Sequence, residues 1–234
     1  MVDCKNRTPP VVEGSEFAVV RTPNVRGGKF VRDELRFTDE ASYAEWTKRA
    51  IPRFGDVLIT REAPLGEVCL CPSDLKVCLG QRMMLYRPNA ERLVSSFLLF
   101  ALMSSGVQSA LQKQIGGSTV GHARVDDIRT LIVPRPLNLA EQQAIAEALS
   151  DADALIEGLE NLISKKRAIK QGAMQELLTG KRRLPGFEGE WTETELGRIP
   201  TDWTITSIGA VADVKTGPFG SSLHETTFAK EPQL

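Results

Sequence analysis

"LAEQQAIAEALSDADALIEGLENLISKKRAIKQGAMQELL", residues 139–178, decides how this chain is read. Ile145, Leu149, Ala152, Ile156, Leu159 and Ile163 recur at alternating spacings of four and three. That period puts them on one stripe of a helix, as in a coiled-coil seam. Ile169, Ala173 and Leu177 continue an apolar face after a shift in register near Lys165–Arg167. At ~1.5 Å per residue such a helix is about 60 Å long. The residues preceding it are too few to cover so long a stripe. The helix needs a partner helix, from another copy or from another part of a longer chain. Gly180 suits the left-handed position that ends a helix. The basic run "SKKRAIK", Ser164–Lys170, reads as a solvated helix face or a subunit contact.

Upstream, residues 1–90 read as strand and turn. "FAVVRTPNVRGGKF", Phe17–Phe30, predicts a short strand followed by Pro-Asn and Gly-Gly turns. "DEASYAEWTKRAI", Asp39–Ile51, predicts a short helix with an acidic start and a basic end, matching the helix dipole. "GDVLITREAPLGEVCLC", Gly55–Cys71, predicts a strand, a turn and a returning strand. "KVCLGQRMMLYRP", Lys76–Pro88, predicts one more strand. From Glu91 to Ile115 the spacing turns helical, with a break at Ser104–Gly106, and Leu131–Val133 predicts a last apolar strand before a proline pair. Downstream, "KRRLPGFEGEW", Lys181–Trp191, is a linker, and "TDWTITSIGAVADVKTGPFGSSL", Thr201–Leu223, reads like the opening of a domain.

Apolar content of 41% and charged content of 25% are those of an ordinary globular protein. "FLLFALM", Phe97–Met103, is far too short to span a bilayer, and no secretion signal is legible, so a cytoplasmic protein with no membrane contact is expected. Cys4, Cys69, Cys71 and Cys78 are then expected as reduced thiols rather than metal ligands, since His122 and His224 lie far from them in sequence. The net charge is −1, unevenly spread. Residues 1–139 hold 19 Lys/Arg against 15 Asp/Glu, and residues 140–234 hold 10 against 15. The first part is the better candidate for touching a polyanion.

"GGSTVG", Gly116–Gly121, has the glycine spacing of a phosphate loop, but His122 stands where the lysine belongs. It reads as a backbone-amide loop near a nucleic acid, or as a plain turn. No nuclease, methyltransferase or Ser/His/Asp set is legible; Glu62 beside Arg61 reads as a surface or strand-end pair.

Three stretches resemble the specificity (S) subunit of type I restriction-modification systems. "PRPLNLAEQQAIAEALSDADALIEGLE" is similar to the proline-rich exit of a target recognition domain and the Glu-Gln-x-x-Ile start of the family's long helix. "KKRAIKQGAMQELLTGKRRLPGF" is similar to that helix's end, and "IPTDWTITSIGAVADVKTGPFGSSL" to the lead-in of a recognition domain. "DCKNRTPP", "RTPNVRGGKF", "GDVLITREAPLG" and "GGSTVGHARVDDI" share the family style.

The resemblance implies an α+β fold: a globular mixed α/β target recognition domain followed by a long coiled-coil-forming helix. It divides the chain into a recognition domain at 1–138 without its usual lead-in, a spacer helix at 139–180, and a segment at 181–234. That last segment opens a second domain or completes the first, in cis or in a second copy. The expectation is a half-length or truncated S polypeptide that acts as a homodimer through the helix seam, or as a half-subunit assembly, rather than as a monomer. It implies a non-catalytic, sequence-specific double-stranded-DNA-binding subunit with no cofactor of its own. Its partners would be methyltransferase (M) subunits that bind S-adenosylmethionine and, through them, the motor-nuclease (R) subunit that uses ATP and Mg²⁺.

Base reading needs Arg or Lys on guanine, Asn or Gln on adenine and donors on phosphate. The candidates are Lys5, Asn6, Arg7, Arg21, Asn24, Arg26, Lys29, Arg61, Gln81, Arg82, Ser118, Thr119 and His122. The rival reading is a coiled-coil adapter whose globular part binds protein.

Overall fold

The computed structural model describes residues 2–3, 7–115, 122–213, 215 and 217. It divides into two compact units, Met1–Gly158 and Leu159–Leu234, with the division inside the long helix. The first unit opens with strands β1 (Val2–Asp3), β2 (Phe17–Val20), β3 (Val25–Arg26), β4 (Lys29–Phe30) and β5 (Arg36–Thr38), then helix α1 (Glu40–Trp46). Strands β6 (Val57–Arg61), β7 (Leu65–Leu70), β8 (Lys76–Leu79) and β9 (Met83–Tyr86) follow, and then helices α2 (Ser95–Met103), α3 (Ser105–Gln114) and α4 (Val125–Arg129). Helix α5 (Leu139–Leu177) begins here and runs on into the second unit.

A four-stranded antiparallel sheet, ordered β1-β9-β6-β7, forms the centre. Strand side chains alternate between faces, and here both faces are covered. Leu58, Cys69, Met83 and Leu85 meet Ala18, Val20, Val77 and Leu79 of a second sheet, β5-β2-β8. Val57, Ile59, Val68 and Met84 meet Leu98, Leu99, Leu102, Val107 and Leu111 of α2 and α3, with Ile128 of α4. That explains why β6 is an unbroken buried run rather than an alternating one. Within the second sheet β2 and β8 pair in parallel, from Phe17 opposite Lys76 to Val20 opposite Leu79. Among the buried charges is Asp56, whose carboxylate accepts from Arg87 Nε and Nη2 at 2.8 and 2.7 Å and from the Arg53 amide at 3.0 Å.

Three expectations are corrected. Lys76–Pro88 holds two strands, not one, because the chain turns at Gly80–Arg82 and sends β8 to β2 but β9 to β6. Leu131–Val133 forms no strand: no neighbouring strand pairs with it, Ile132 points to solvent, and Leu131 and Val133 rest on the helical side of the core. The helix expected over Asp39–Ile51 ends at Trp46, so Lys48 and Arg49 lie beyond its last turn. Its start is as read, with Asp39 Oδ1 accepting from the Ser42 amide at 2.8 Å. The expected break between α2 and α3 falls at Ser104, whose hydroxyl caps α3.

Helix α5 is held to this unit chiefly by one side chain. Gln142 is fully buried; its Oε1 accepts from the Val94 amide at 2.9 Å. Its Nε2 donates to the carbonyls of Arg92 at 3.1 Å and Pro136 at 2.7 Å. Gln142 and Ala146 are the only buried residues of α5.

The second unit contains the rest of α5, an antiparallel hairpin β10 (Trp191–Thr194) and β11 (Gly197–Pro200), and a short helix α6 (Ile208–Val211). Gly180 ends α5 at φ +70°, as expected, and a Cβ there would lie 2.5 Å from Pro200 Cδ, so only glycine fits. Arg183 donates to both Asp202 oxygens at 2.6 Å and lies over the Trp203 ring. Among the described residues no helix is long and apolar enough to cross a membrane, and no three acidic, His or Cys side chains cluster to hold a metal.

Two outcomes follow from this packing. Gln142→Leu orphans one buried amide and two carbonyls, so a urea titration should show a loss of about 1–3 kcal/mol or more; unchanged stability would remove Gln142 as the anchor. Burial pushes Cys69, Cys71 and Cys78 from the ordinary 9.0 up to about 12. The folded state therefore prefers the neutral thiols. Their contribution is complete below about 9 and is lost as pH climbs through 9 towards 12. Native-state alkylation at pH 8, mapped by mass spectrometry, should leave all three unmodified, and rapid modification would contradict the core.

Candidate nucleic-acid interface

Parallel pairing brings the carboxyl ends of β2 and β8 to the same edge. The Gly80 amide donates to the Val20 carbonyl at 2.8 Å, which sets Arg21 beside the turn carrying Gln81 and Arg82. A Cβ on Gly80 would come within 2.9 Å of that carbonyl and 3.2 Å of Arg21 Cγ. The turn then enters β9, which lies against the end of β6, Thr60 opposite Met83. The amide of Arg61 donates to the Arg82 carbonyl at 2.8 Å, and the Ala123 amide donates to the Arg61 carbonyl at 2.9 Å. Three segments distant in sequence, 61–62, 81–82 and 122–123, thus meet at one rim.

Glu62 stands at the middle of that rim. Its Oε1 is 2.9 Å from Arg82 Nε and its Oε2 is 3.0 Å from His122 Nδ1. Its side chain is 19% exposed, against 46% for Arg82 and 51% for His122. The carboxylate is therefore set back, with the basic groups outermost. Arg82 adopts φ +75°, a left-handed backbone that side chains seldom take. Arg61, by contrast, is buried and donates through Nε to the Ala123 carbonyl at 3.1 Å. It fixes the main chain next to His122 rather than reaching outward.

The other sequence candidates divide. Arg21 joins the rim: its Nη2 donates to the Glu34 carbonyl at 2.7 Å. Burial, then the nearby Arg36, lowers its pKa. Gln81 is exposed on the turn. Arg26 is exposed on the β3–β4 hairpin, whose tip is held to β7 by the Gly27 amide on Glu67 Oε2 at 2.7 Å and by pairing of Gly28 with Cys69. Lys29 on the same hairpin reaches α5, its Nζ 2.7 Å from Glu157. Arg7 lies with α1 instead, over the Trp46 ring at 5.0 Å.

Asn24 offers nothing to a base. It is fully buried; its Oδ1 accepts from the Arg21 amide and its Nδ2 donates to the carbonyls of Val31 and Asp33. Lys5, Asn6, Ser118 and Thr119, with the rest of the Gly116–Gly121 loop, lie outside the described residues, as does His224.

In the sequence Glu62 reads as a surface or strand-end pair with Arg61, and no motif there marks it as a site residue. Its partners come from 20 and 60 positions downstream. The available signal was an acid in the middle of an otherwise basic loop set. The α5 residues Ile145, Leu149, Ala152, Ile156, Leu159 and Ile163 are all exposed in the single chain, Leu149 at 42% and Leu159 at 50%.

A fold role for Asn24 predicts that Asn24→Ala lowers stability by about 1–3 kcal/mol in urea. Nucleic-acid affinity of the folded variant should stay within twofold of wild type. A folded Asn24→Ala chain with tenfold weaker binding would restore it to the interface.

Residues 23–166 match the type I restriction modification DNA specificity domain family. The chain is 26% identical over 200 residues to a Methanocaldococcus jannaschii protein named as the type I restriction enzyme MjaX specificity subunit, covering 82% of this chain and 45% of that protein. It is 28% identical over 192 residues to the MjaIX specificity subunit of the same organism, covering 80% and 42%. The chain thus spans less than half the length of these curated relatives. Its fold is similar to the crystal structure of the HsdS subunit from Thermoanaerobacter tengcongensis, with a TM-score of 0.52 at 21% identity over 75% of this chain and 46% of that one. With the family match covering more than half of its residues, the chain belongs to the type I restriction modification DNA specificity domain family.

Proposed function

We propose that this chain is a sequence-specific DNA-recognition component of a type I restriction-modification complex, without catalysis of its own. It directs the methylation and cleavage performed by M and R subunits. The observation that carries the reading is the rim where Arg21, Gln81, Arg82 and His122 gather at the ends of β2, β6 and β8. Arg and Gln are the side chains that make bidentate contacts to purine edges in the major groove. The long exposed helix that follows a globular domain in the chain supports the same reading, as does the naming of the relatives.

The helix supports a homodimer. Its exposed apolar residues are arranged symmetrically about Leu159. Ile156 and Leu162 are equidistant from it, as are Leu155 and Ile163, and Leu149 and Ile169. A reversed second copy therefore presents apolar residues at the same levels. Charge favours that direction too, because Asp151 and Asp153 stand level with Arg167 and Lys165 of the reversed copy. A parallel pair would set like charges side by side. Two identical heads on an antiparallel rod read an inverted, split site.

Selection from random-sequence duplex DNA, with the chain alone and with M subunits, should enrich a two-part inverted motif with a fixed gap. No enrichment at low salt with M present would favour an adapter that binds protein. Leu159→Asp puts two buried charges at the symmetry point, and light scattering should show the dimer mass of wild type fall to that of a monomer. An unchanged mass would contradict the seam.

A further inference from the structure

We infer that Glu62 is a positioning residue for base recognition: it clamps Arg82 by Nε so that the guanidinium reads a guanine. This rests on the DNA-recognition reading above. An unrestrained arginine at a surface turn samples many rotamers, and ordering it on binding costs affinity. Here the left-handed backbone at Arg82 and the carboxylate at 2.9 Å hold it from two sides before any ligand arrives. A carboxylate on Nε occupies one edge of the planar fork. That leaves the end bearing Nη1 and Nη2 for a base, and a guanine offers O6 and N7 to such an end.

Glu62 is itself held from behind. Arg61, its chain neighbour, is buried and bonded to the Ala123 carbonyl, while on the outer side His122 lies with Nδ1 3.0 Å from the second carboxylate oxygen. The carboxylate sits deeper than either basic group. It therefore orders them at the cost of some attraction for phosphate, exchanging non-specific affinity for selectivity.

That exchange gives a signature that a merely structural role would not produce. In the selection experiment with the full chain, Glu62→Gln should lose discrimination at one guanine per half-site by on the order of tenfold. It should bind random duplex at least as tightly as wild type, because a negative charge facing DNA is gone. Arg82→Ala should lose the same guanine, and the double variant should lose no more than Arg82→Ala alone. Circular dichroism melting of both single variants separates these effects from unfolding.

An unchanged motif in folded Glu62→Gln would overturn the inference while leaving the DNA-recognition reading intact. So would loss of specific and non-specific binding together, or loss of a base different from the one lost in Arg82→Ala. A wild-type chain that enriches no sequence would overturn both.

Discussion

The architecture depends on how one buried amide joins a rod to a head. A helix of 39 residues that buries only Gln142 and Ala146 has almost no apolar attachment to its globular neighbour. Direction must then come from hydrogen bonds. Gln142 supplies three, to Val94, Arg92 and Pro136, which lie on two segments flanking the helical layer. An amide has a fixed donor side and acceptor side, so these partners set the origin of α5 and the rotation of its first turns. The Lys29–Glu157 pair farther along is exposed at both ends and is worth little by itself. It does show that the hairpin bearing Arg26 and the helix face one another. The Leu159-centred stripe is exposed in the single chain, which is what the proposed helix pairing requires.

The head is organised by a different constraint. Parallel pairing of β2 with β8 and antiparallel pairing of β6 with β9 send four chain ends to one edge of the stacked sheets. Loops at such an edge have a rigid base and few demands on their own side chains, which is where recognition residues are expected. The Glu62 carboxylate then joins what the strands bring near. Affinity for a polyanion and discrimination among bases make opposite demands on such a rim. Bare cations serve the first and restrained donors the second.

Local signals made much of this legible in the sequence. The periodicity of α5 places its end within a residue, and Gly180 marks the stop, because both signals arise from neighbours along the helix. Ser104 and Asp39 were readable for the same reason. Pairing was not legible. Nothing near Lys76 says that β8 runs parallel to β2 while β9, after a turn of three residues, joins another sheet. Asn24 and Arg61 have the chemistry of base readers, and only burial removes them from the surface. Glu62 reads as a bystander until the fold brings Arg82 and His122 to it.

In the proposed dimer a rigid rod, clamped at Gln142, holds two heads at a fixed separation. Pulsed dipolar spectroscopy tests it most directly, on the Cys4→Ser chain with a nitroxide at Ser73→Cys on the exposed surface of the head. Two heads at opposite ends of an antiparallel pair predict one narrow distance peak on the order of 60 Å. A broad distribution, or no dipolar signal at concentrations where DNA selection succeeds, would contradict it.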